Sequence, residues 1–380
     1  MQTRWKIQRT LARLQAELDD LKSKQLLRRL DNVSGIDLSS NDYLGLSDDP
    51  VLRAAVIHAM EQQERISSTG SRLLSGNDPL WERLEKQFAA FVGAEASLHF
   101  GSGYLANVGV LSALLTPDVT VFSDALNHAS IIDGIRLSRA RKVIFPHGDL
   151  DYLEQALRST TGDNDRFIVV ESVFSMDGDY APLQDLYGLA DKYDAGLIID
   201  EAHATGVVGP NGRGLVAAHG RPDCVIASVH TCGKALASMG AFVACSDTVR
   251  QYLINQARPF VFSTALPPSI AVQTMESLGI VKDADDRRHY LQGLHEYLRS
   301  QLRSQGFDIL QTQSHIVPVI LGTNDRAIRI ADGLVKSGFN VRAIRPPTVP
   351  SGTARLRLSL TTRITIEQLQ SLVQTLTDAL

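Results

Sequence analysis

Short apolar runs alternate with longer amphipathic stretches along most of this chain. The short runs are Ala96–Phe100, Val119–Ser123, Lys142–Phe145, Phe167–Glu171, Leu197–Asp200, Val225–Val229 and Ala241–Ala244. Between most of them lie segments of helical length and period, such as Pro79–Val92, Tyr104–Leu115, Leu150–Ser159 and Leu183–Tyr193. A strand that returns parallel to its neighbour needs a long crossover, usually a helix. The alternation therefore predicts an α/β fold, a mostly parallel sheet with helices on both faces. Near Phe260–Pro268 the texture changes. Two long helical patterns follow, at about 269–282 and 285–305. Strand candidates then come at Val317–Leu321, Val341–Ile344 and Leu356–Leu360, with helical segments near 324–337 and 366–379. This predicts a smaller C-terminal α+β domain. The expected division is an arm over 1–47, a large domain over 48–275 and a small domain over 276–380. No repeat or flexible linker separates them, so a site between closely packed domains is expected.

In the arm, Ile7, Leu11, Leu14, Leu18 and Leu21 follow a 4-3-4-3 spacing, one stripe of a helix. The stripe is too short for a free-standing coiled coil and is expected to dock on the body or on a partner subunit. Residues 1–16 carry Arg4, Lys6, Arg9 and Arg13 with no acid before Glu17, a composition that transit peptides share. No apolar stretch suits a secretory signal, and the amphipathic helix is the preferred reading.

Composition narrows the function classes. Apolar residues are 44% of the 380, and Lys plus Arg number 38 against 42 Asp plus Glu, a net charge of −4. No electrostatic footprint for nucleic acid appears, and no apolar run is long enough for a membrane span. Cys224, Cys232 and Cys245 are odd in number and lack metal-ligand spacing, which disfavours both a disulfide framework and a zinc site. A reducing, cytoplasmic location is the default expectation.

In open α/β sheets ligands sit beyond the carboxyl ends of the strands. At Phe100-Gly101-Ser102-Gly103-Tyr104-Leu105-Ala106-Asn107 a strand passes into a helix across two glycines. Such a turn holds an anion on helix-terminal amides, or is simply a tight turn; the nicotinamide GxGxxG spacing is not met. Asp200-Glu201-Ala202-His203 follows the apolar Leu197-Ile198-Ile199. An acid there needs a cationic or hydrogen-bonding partner: a helix cap, an arginine, or a protonated ring nitrogen. Lys234 stands among small and apolar residues in Thr231-Cys232-Gly233-Lys234-Ala235-Leu236. Desolvation there lowers the amine pKa and favours a Schiff base; a surface lysine in a glycine turn is the alternative. Asp124, Asn127 and His128 follow Val121-Phe122-Ser123, where His128 either makes an ordinary polar contact or stacks on an aromatic ligand.

Phosphate turn, histidine, acid and lysine, in that order at successive strand ends, are the groups that pyridoxal 5′-phosphate chemistry needs. Here the chain resembles the fold-type I pyridoxal phosphate enzymes and, among these transferases, the α-oxoamine synthases, over essentially its whole length. Supporting motifs are Ser40-Asn41-Asp42-Tyr43-Leu44-Gly45-Leu46, Thr69-Gly70-Ser71-Arg72, Ser172-Val173-Phe174-Ser175-Met176-Asp177-Gly178-Asp179 and Phe262-Ser263-Thr264-Ala265-Leu266-Pro267-Pro268. The segment Arg345-Pro346-Pro347-Thr348-Val349-Pro350 through Arg355-Leu356-Arg357-Leu358 is similar to that of the branch that joins L-alanine to a pimeloyl thioester in biotin biosynthesis. Glycine C-acetyltransferase and 5-aminolevulinate synthase, the rival readings, usually lack the Arg-Pro-Pro opening. Glu201, Ala204 and Cys232 depart from the branch pattern, which touches fine specificity and no reacting group. A scaffold subunit without activity would be expected to lack the lysine.

The resemblance implies a catalytic set of Lys234, His128, Asp200 and His203. Lys234 would hold the cofactor covalently and move the α-proton, and Asp200 would pair with the ring nitrogen. His128 would cover one ring face and touch substrate. His203 and Ser175 would bond the phenolic oxygen, while Gly103, Tyr104 and Thr231 would serve the region near the phosphate. Ser263 and Thr264 would reach the phosphate of the neighbouring subunit, which implies a homodimer. Arg357 would grip the amino-acid carboxylate, with Arg355 on the same strand face as a competitor and Asn41 as a further substrate contact. Arg28, Arg345 and Thr348 would meet the acyl donor, carried on coenzyme A or on an acyl-carrier protein.

Overall fold

A computed structural model describes residues 2–30, 32, 34–63, 65–160 and 164–379, without the side chains of residues 2–6. The side chains of Arg4 and Lys6 thus lie outside the described residues. In chain order the strands are β1 Ile36–Asp37, β2 Ala96–Phe100, β3 Thr120–Asp124, β4 Arg141–Phe145, β5 Arg166–Glu171, β6 Ala195–Asp200, β7 Val225–Thr231 and β8 Ala241–Cys245. They continue with β9 Ile316–Gly322, β10 Phe339–Asn340, β11 Ala343–Ile344 and β12 Ala354–Ser359. The seven strands expected of the large domain form one sheet in the order β2-β8-β7-β6-β5-β3-β4. Only β8 runs against its neighbours.

Why these runs lack polar alternation is visible in their packing. Val121, Val169, Ile198 and Val229 point into one core, and Phe122, Ile168, Leu197 and Ile199 into another on the opposite face. A parallel sheet is covered twice, so both side-chain sets must be apolar. The buried carboxylates of this sheet stand where strands end; the polar residues inside its strands, such as Ser97, His99, Ser228 and His230, are neutral. The carboxyl ends of β3, β5, β6 and β7 carry Asp124, Glu171, Asp200 and Thr231 along one edge.

The C-terminal unit holds the antiparallel sheet β11-β12-β9, flanked by helices Asp285–Ser304, Asn324–Lys336 and Ile366–Asp378. The expected strand Val341–Ile344 is shorter, Ala343–Ile344, while β12 begins two residues earlier than expected. Residues 36–46, within the expected arm, are instead stitched into this unit. β1 pairs in parallel with β10, and Ser359 N donates to Leu38 O at 2.8 Å. Leu38, Tyr43, Leu44 and Leu46 are fully buried in the same core as Leu356 and Leu358.

The arm helix, Gln2–Ser23, forms as its periodicity requires, but its apolar stripe does not dock on the chain's own body. Leu11 remains 60% and Leu21 38% exposed. The helix is fastened beyond its end, by Gln25 Nε2 to Asp325 Oδ1 at 3.0 Å and by Arg28 to Thr348, so its stripe meets no facing surface in one chain.

The loop 172–179 connects the two units. Gly178 has φ +73°, and a Cβ there would stand 2.0 Å from Ile316 O. The chain can make this contact only with glycine. Gly178→Ala should lower unfolding free energy by about 2 kcal/mol or more, the scale of a forced left-handed residue combined with a backbone clash. Urea titration checks this; a loss below about 0.5 kcal/mol would show that the loop yields freely.

Candidate active site

Lys234 lies just beyond β7, in a turn closed by Cys232 N to Gly240 O and Ser238 N to Cys232 O, both 2.9 Å. Ala235 and Leu236 beside it are buried. Its Nζ is 2.7 Å from Nε2 of the buried His203. Burial pushes the Lys234 amine down to about 8; Asp200 and Glu171 pull it up, and the Arg357 charge pushes it further down. His203 is held well below the usual imidazole range by burial, with Lys234 and Arg357 adding to the effect. The site therefore carries a neutral imidazole against an amine that loses its proton within reach of neutral pH.

Asp200 is buried at the end of β6. Its Oδ2 accepts from Asn107 Nδ2 at 2.6 Å and its Oδ1 from Ala202 N at 2.8 Å. Asn107 also donates to Ser130 Oγ at 3.0 Å, and Ser130 Oγ is 2.7 Å from His128 Nδ1. One network thus joins the first helix after β2, the end of β6 and His128. Burial lowers the His128 pKa, with Asp200 acting against the shift. Sequence reasoning gives Asn107 no role, although it closes the glycine-turn motif. It sits one turn into the helix, where its side chain can turn toward the strand ends.

Glu171 is a second site residue that sequence reasoning misses. It stands directly beside Asp200 in the β5–β6 register. Its Oε2 accepts from Ser175 N at 3.1 Å, and Oε1 is buried with no partner among the described residues. Burial raises its pKa to about 8, and the charge of Asp200 adds to this. The signal is there to be read: like Asp200, it is an acid closing an apolar strand.

The glycine turn and Thr231 meet. Helix Gly103–Leu114 starts at Gly103, capped by Ser102, whose Oγ accepts from Leu105 N at 3.2 Å. A Cβ on Gly103 would lie 3.3 Å from Thr231 Oγ1, so glycine leaves a cradle between the helix start and the end of β7. The amides of Gly103 and Tyr104 fall outside the intrahelical ladder and suit a phosphate. The Tyr104 side chain turns away, with its hydroxyl on Asp133.

Arg357 and Arg355 share a face of β12 but not a role. Arg355 Nη1 is paired with Asp177 Oδ1 at 2.5 Å. Arg357 has no carboxylate partner among the described residues; its Nε donates to Ser175 O at 2.6 Å and its Nη1 to Asn41 Oδ1 at 3.2 Å. Of the two, Arg357 is the one left without a carboxylate among the described residues. Ser175 is placed by its backbone, its N–H on Glu171 and its C=O on Arg357.

The residues expected to meet the acyl donor lie further out. Arg28 Nη2 donates to Thr348 Oγ1 at 3.2 Å, and Arg345 donates to Gln25 O. Arg28 and Arg345 line a cleft of about 780 Å³ between the arm and helix Asn324–Lys336. Thr348 lines a smaller cavity of about 240 Å³ with Asn127, Ile132, Phe174, Met176 and Val349, which leads toward the Ser175 and His128 segments. Ser263 and Thr264 make no hydrogen bond to the residues around Lys234 in this chain. Their segment is pinned to the Thr69–Gly70 turn by Ala265 N to Gly70 O at 2.9 Å.

The groups gathered here fit pyridoxal phosphate: a phosphate cradle, a depressed amine, a buried carboxylate and an uncommitted arginine. Comparison with known proteins agrees. The profile of the family described as aminotransferase class I and II matches residues 33–376. An 8-amino-7-oxononanoate synthase of Anaeromyxobacter dehalogenans is 46% identical, over 91% of this chain and 89% of the relative. The solved 8-amino-7-oxononanoate synthase of Francisella tularensis is 30% identical with a TM-score of 0.79, covering 91% of this chain and 97% of that one. A serine palmitoyltransferase of Sphingomonas wittichii, 32% identical with a TM-score of 0.87, covers 91% and 87%. With cradle, lysine, acid and arginine in place and identity of this extent along the chain, the protein belongs to the aminotransferase class I and II family of pyridoxal phosphate enzymes and, within it, to the 8-amino-7-oxononanoate synthases.

Proposed function

We propose that this chain catalyses the decarboxylative condensation of L-alanine with a pimeloyl thioester, giving 8-amino-7-oxononanoate, carbon dioxide and a free thiol. The observation that carries the reading is the Lys234 amine, 2.7 Å from His203, depressed to about 8 and within the electrostatic reach of Asp200 and of Arg357, an arginine with no carboxylate partner among the described residues. Bound pyridoxal phosphate supplies an electron sink for the bonds at the amino-acid α-carbon.

The chain's own residues supply position and proton control. Lys234 offers an amine that binds the cofactor aldehyde and takes and returns the α-proton. Asp200, fixed by Asn107 and Ala202, holds negative charge where a ring nitrogen must stay protonated. The Gly103–Tyr104 amides and Thr231 hold the phosphate. His203 and Ser175 would bond the phenolic oxygen, and His128, tied through Ser130 to Asn107, would cover a ring face. Arg357 would bind the substrate carboxylate as a planar fork, with Asn41 beside it, and so would orient the α-carbon bonds toward the cofactor. The acyl chain, carried on coenzyme A or a carrier protein, lies along the Thr348 cavity, with Arg28 and Arg345 at its outer end.

A homodimer belongs to this reading. Ser263 and Thr264 make no hydrogen bond to their own Lys234 turn, and the arm stripe is exposed, so a second copy would receive both.

A thioester panel with alanine and glycine, read by product mass, should give most product from pimeloyl thioester and alanine. If Arg28 or Arg345 reads the distal carboxylate, pimeloyl should exceed heptanoyl thioester by roughly ten- to a hundredfold, the equivalent of a charge-assisted hydrogen bond of about 1.5–3 kcal/mol. Arg345→Leu should shrink that ratio. Best turnover with acetyl thioester and glycine would replace this function with a C-acetyltransferase.

Sedimentation should show a dimer as the active species; an active monomer would remove Ser263 and Thr264 from the site.

The amine of Lys234 gives a pH test. Its depressed pKa means the neutral form appears as pH rises through about 8, whereas an ordinary lysine needs about 10.4. Arylation of Lys234 in cofactor-free protein, mapped by peptide mass, should therefore rise with a midpoint near 8. A midpoint like that of surface lysines would contradict the desolvated site.

A further inference from the structure

A run of hydrogen bonds links Lys234 to the small domain, and its direction is fixed at the far end. Lys234 Nζ is 2.7 Å from His203 Nε2, His203 Nδ1 is 2.6 Å from the Tyr43 hydroxyl, and that hydroxyl is 3.0 Å from Asn41 Oδ1. Asn41 Oδ1 also lies 3.2 Å from Arg357 Nη1 and 3.4 Å from Ser359 Oγ. A guanidinium only donates, so the Asn41 atom facing it is the oxygen and not the amide nitrogen. An amide oxygen only accepts, so the Tyr43 proton points to Asn41. The Tyr43 oxygen then accepts from His203, which puts the imidazole proton on Nδ1. Burial keeps the Tyr43 phenol protonated by raising its pKa, although Arg357 pulls it back, and burial holds His203 neutral. A neutral imidazole has one N–H, so its tautomer decides whether Nε2 can receive a proton from Lys234.

The geometry assigns Tyr43 as a positioning residue: through a proton order set by Arg357 and Asn41, its hydroxyl holds His203 in the Nδ1–H tautomer, with Nε2 open to the proton of the Lys234 ammonium. The transfer breaks one N–H bond at Nζ and makes one at Nε2. It leaves a neutral amine with its electron pair on Lys234 and, only for the moment in which the amine reacts because burial disfavours the charged ring, an imidazolium whose Nδ1–H still bonds Tyr43. The Tyr43 ring is itself fixed in place, since it is fully buried and its centroid is 3.9 Å from that of His315. A carboxylate arriving at Arg357 would compete with Asn41 for the guanidinium, so occupation of the substrate arginine would be felt at the lysine. That bearing on turnover rests on the function proposed above; the proton order itself does not.

The competing account is that Tyr43 is core packing with a conveniently bonded hydroxyl. Nitrogen-15 NMR of the histidine side chains distinguishes them in full-length protein freed of cofactor, with His203 assigned by its loss in His203→Asn. The wild type should show His203 protonated at Nδ1. In Asn41→Ala the Tyr43 hydroxyl loses its acceptor and turns to His203, so the proton should move to Nε2. In Tyr43→Phe the rate at which added pyridoxal phosphate couples to Lys234, followed by absorbance, should fall at least about tenfold with circular dichroism unchanged, the low end of general acid–base effects. An Nε2–H tautomer in the wild type, or no change in Asn41→Ala, overturns the assignment. If Tyr43→Phe does not fold, the tautomers of wild type and Asn41→Ala decide alone. A protein with the expected tautomers that ignores pimeloyl thioester would refute the proposed substrate and leave this assignment standing.

Discussion

Two acids closing adjacent apolar strands set the constraint under which this site is built. The β5–β6 register places Glu171 directly beside Asp200. Both are buried, and like charges there cannot both be held without a large penalty. The structure treats them differently. Asp200 accepts hydrogen bonds at both oxygens, from Asn107 and Ala202. Glu171 accepts at one oxygen from Ser175 N, while the other has no partner among the described residues, and its pKa is pushed up to about 8. Negative charge is thereby concentrated at Asp200, and Glu171 becomes a strut that fixes the backbone of Ser175. The charge at Asp200 also pulls against the desolvation that lowers the Lys234 amine to about 8.

A matching division governs the cations. Four arginines lie near the site or its approach. Arg355 is paired with the Asp177 carboxylate, while Arg28 and Arg345 in the outer cleft bond the Thr348 hydroxyl and the Gln25 carbonyl. Arg357 is left with neutral oxygens of Ser175 and Asn41. A buried guanidinium with only neutral acceptors is a place where an incoming carboxylate gains a charge-assisted pair. Arg355 and Arg357 both face the loop 172–179, whose approach to Ile316 needs the positive φ of Gly178. The loop therefore fixes, in one contact, the Ser175 backbone, the partner of Arg355 and the seat of the small domain.

A second junction comes from residues 36–46. β1 pairs with β10, and Leu38 bonds Ser359, so Asn41 and Tyr43 are carried on the C-terminal strands while Tyr43 touches His203 beyond β6. Domain packing and proton placement at Lys234 are linked by the same few side chains.

The sequence by itself determined the layered fold and singled out the polar candidates at the strand ends. Doubly covered strands must be apolar throughout, and charged residues survive only at their ends, so Asp200, His203 and Lys234 stood out against their surroundings. The glycine turn before Tyr104 was legible for the same reason, as a strand passing directly into a helix. Tertiary structure alone decided which residues meet. The arginine pair at 355 and 357 looks equivalent along one strand, and only Asp177, from a loop 178 positions away, separates them. Asn107 and Tyr43 carry no mark in their own segments; their partners Asp200 and His203 are 93 and 160 positions distant. The arm's stripe specified a helix but not what covers it, because periodicity fixes a face and says nothing of the surface opposite. Local sequence encodes solvent preference and backbone geometry, whereas hydrogen-bond direction and charge pairing depend on atoms that only the folded chain brings within about 3 Å.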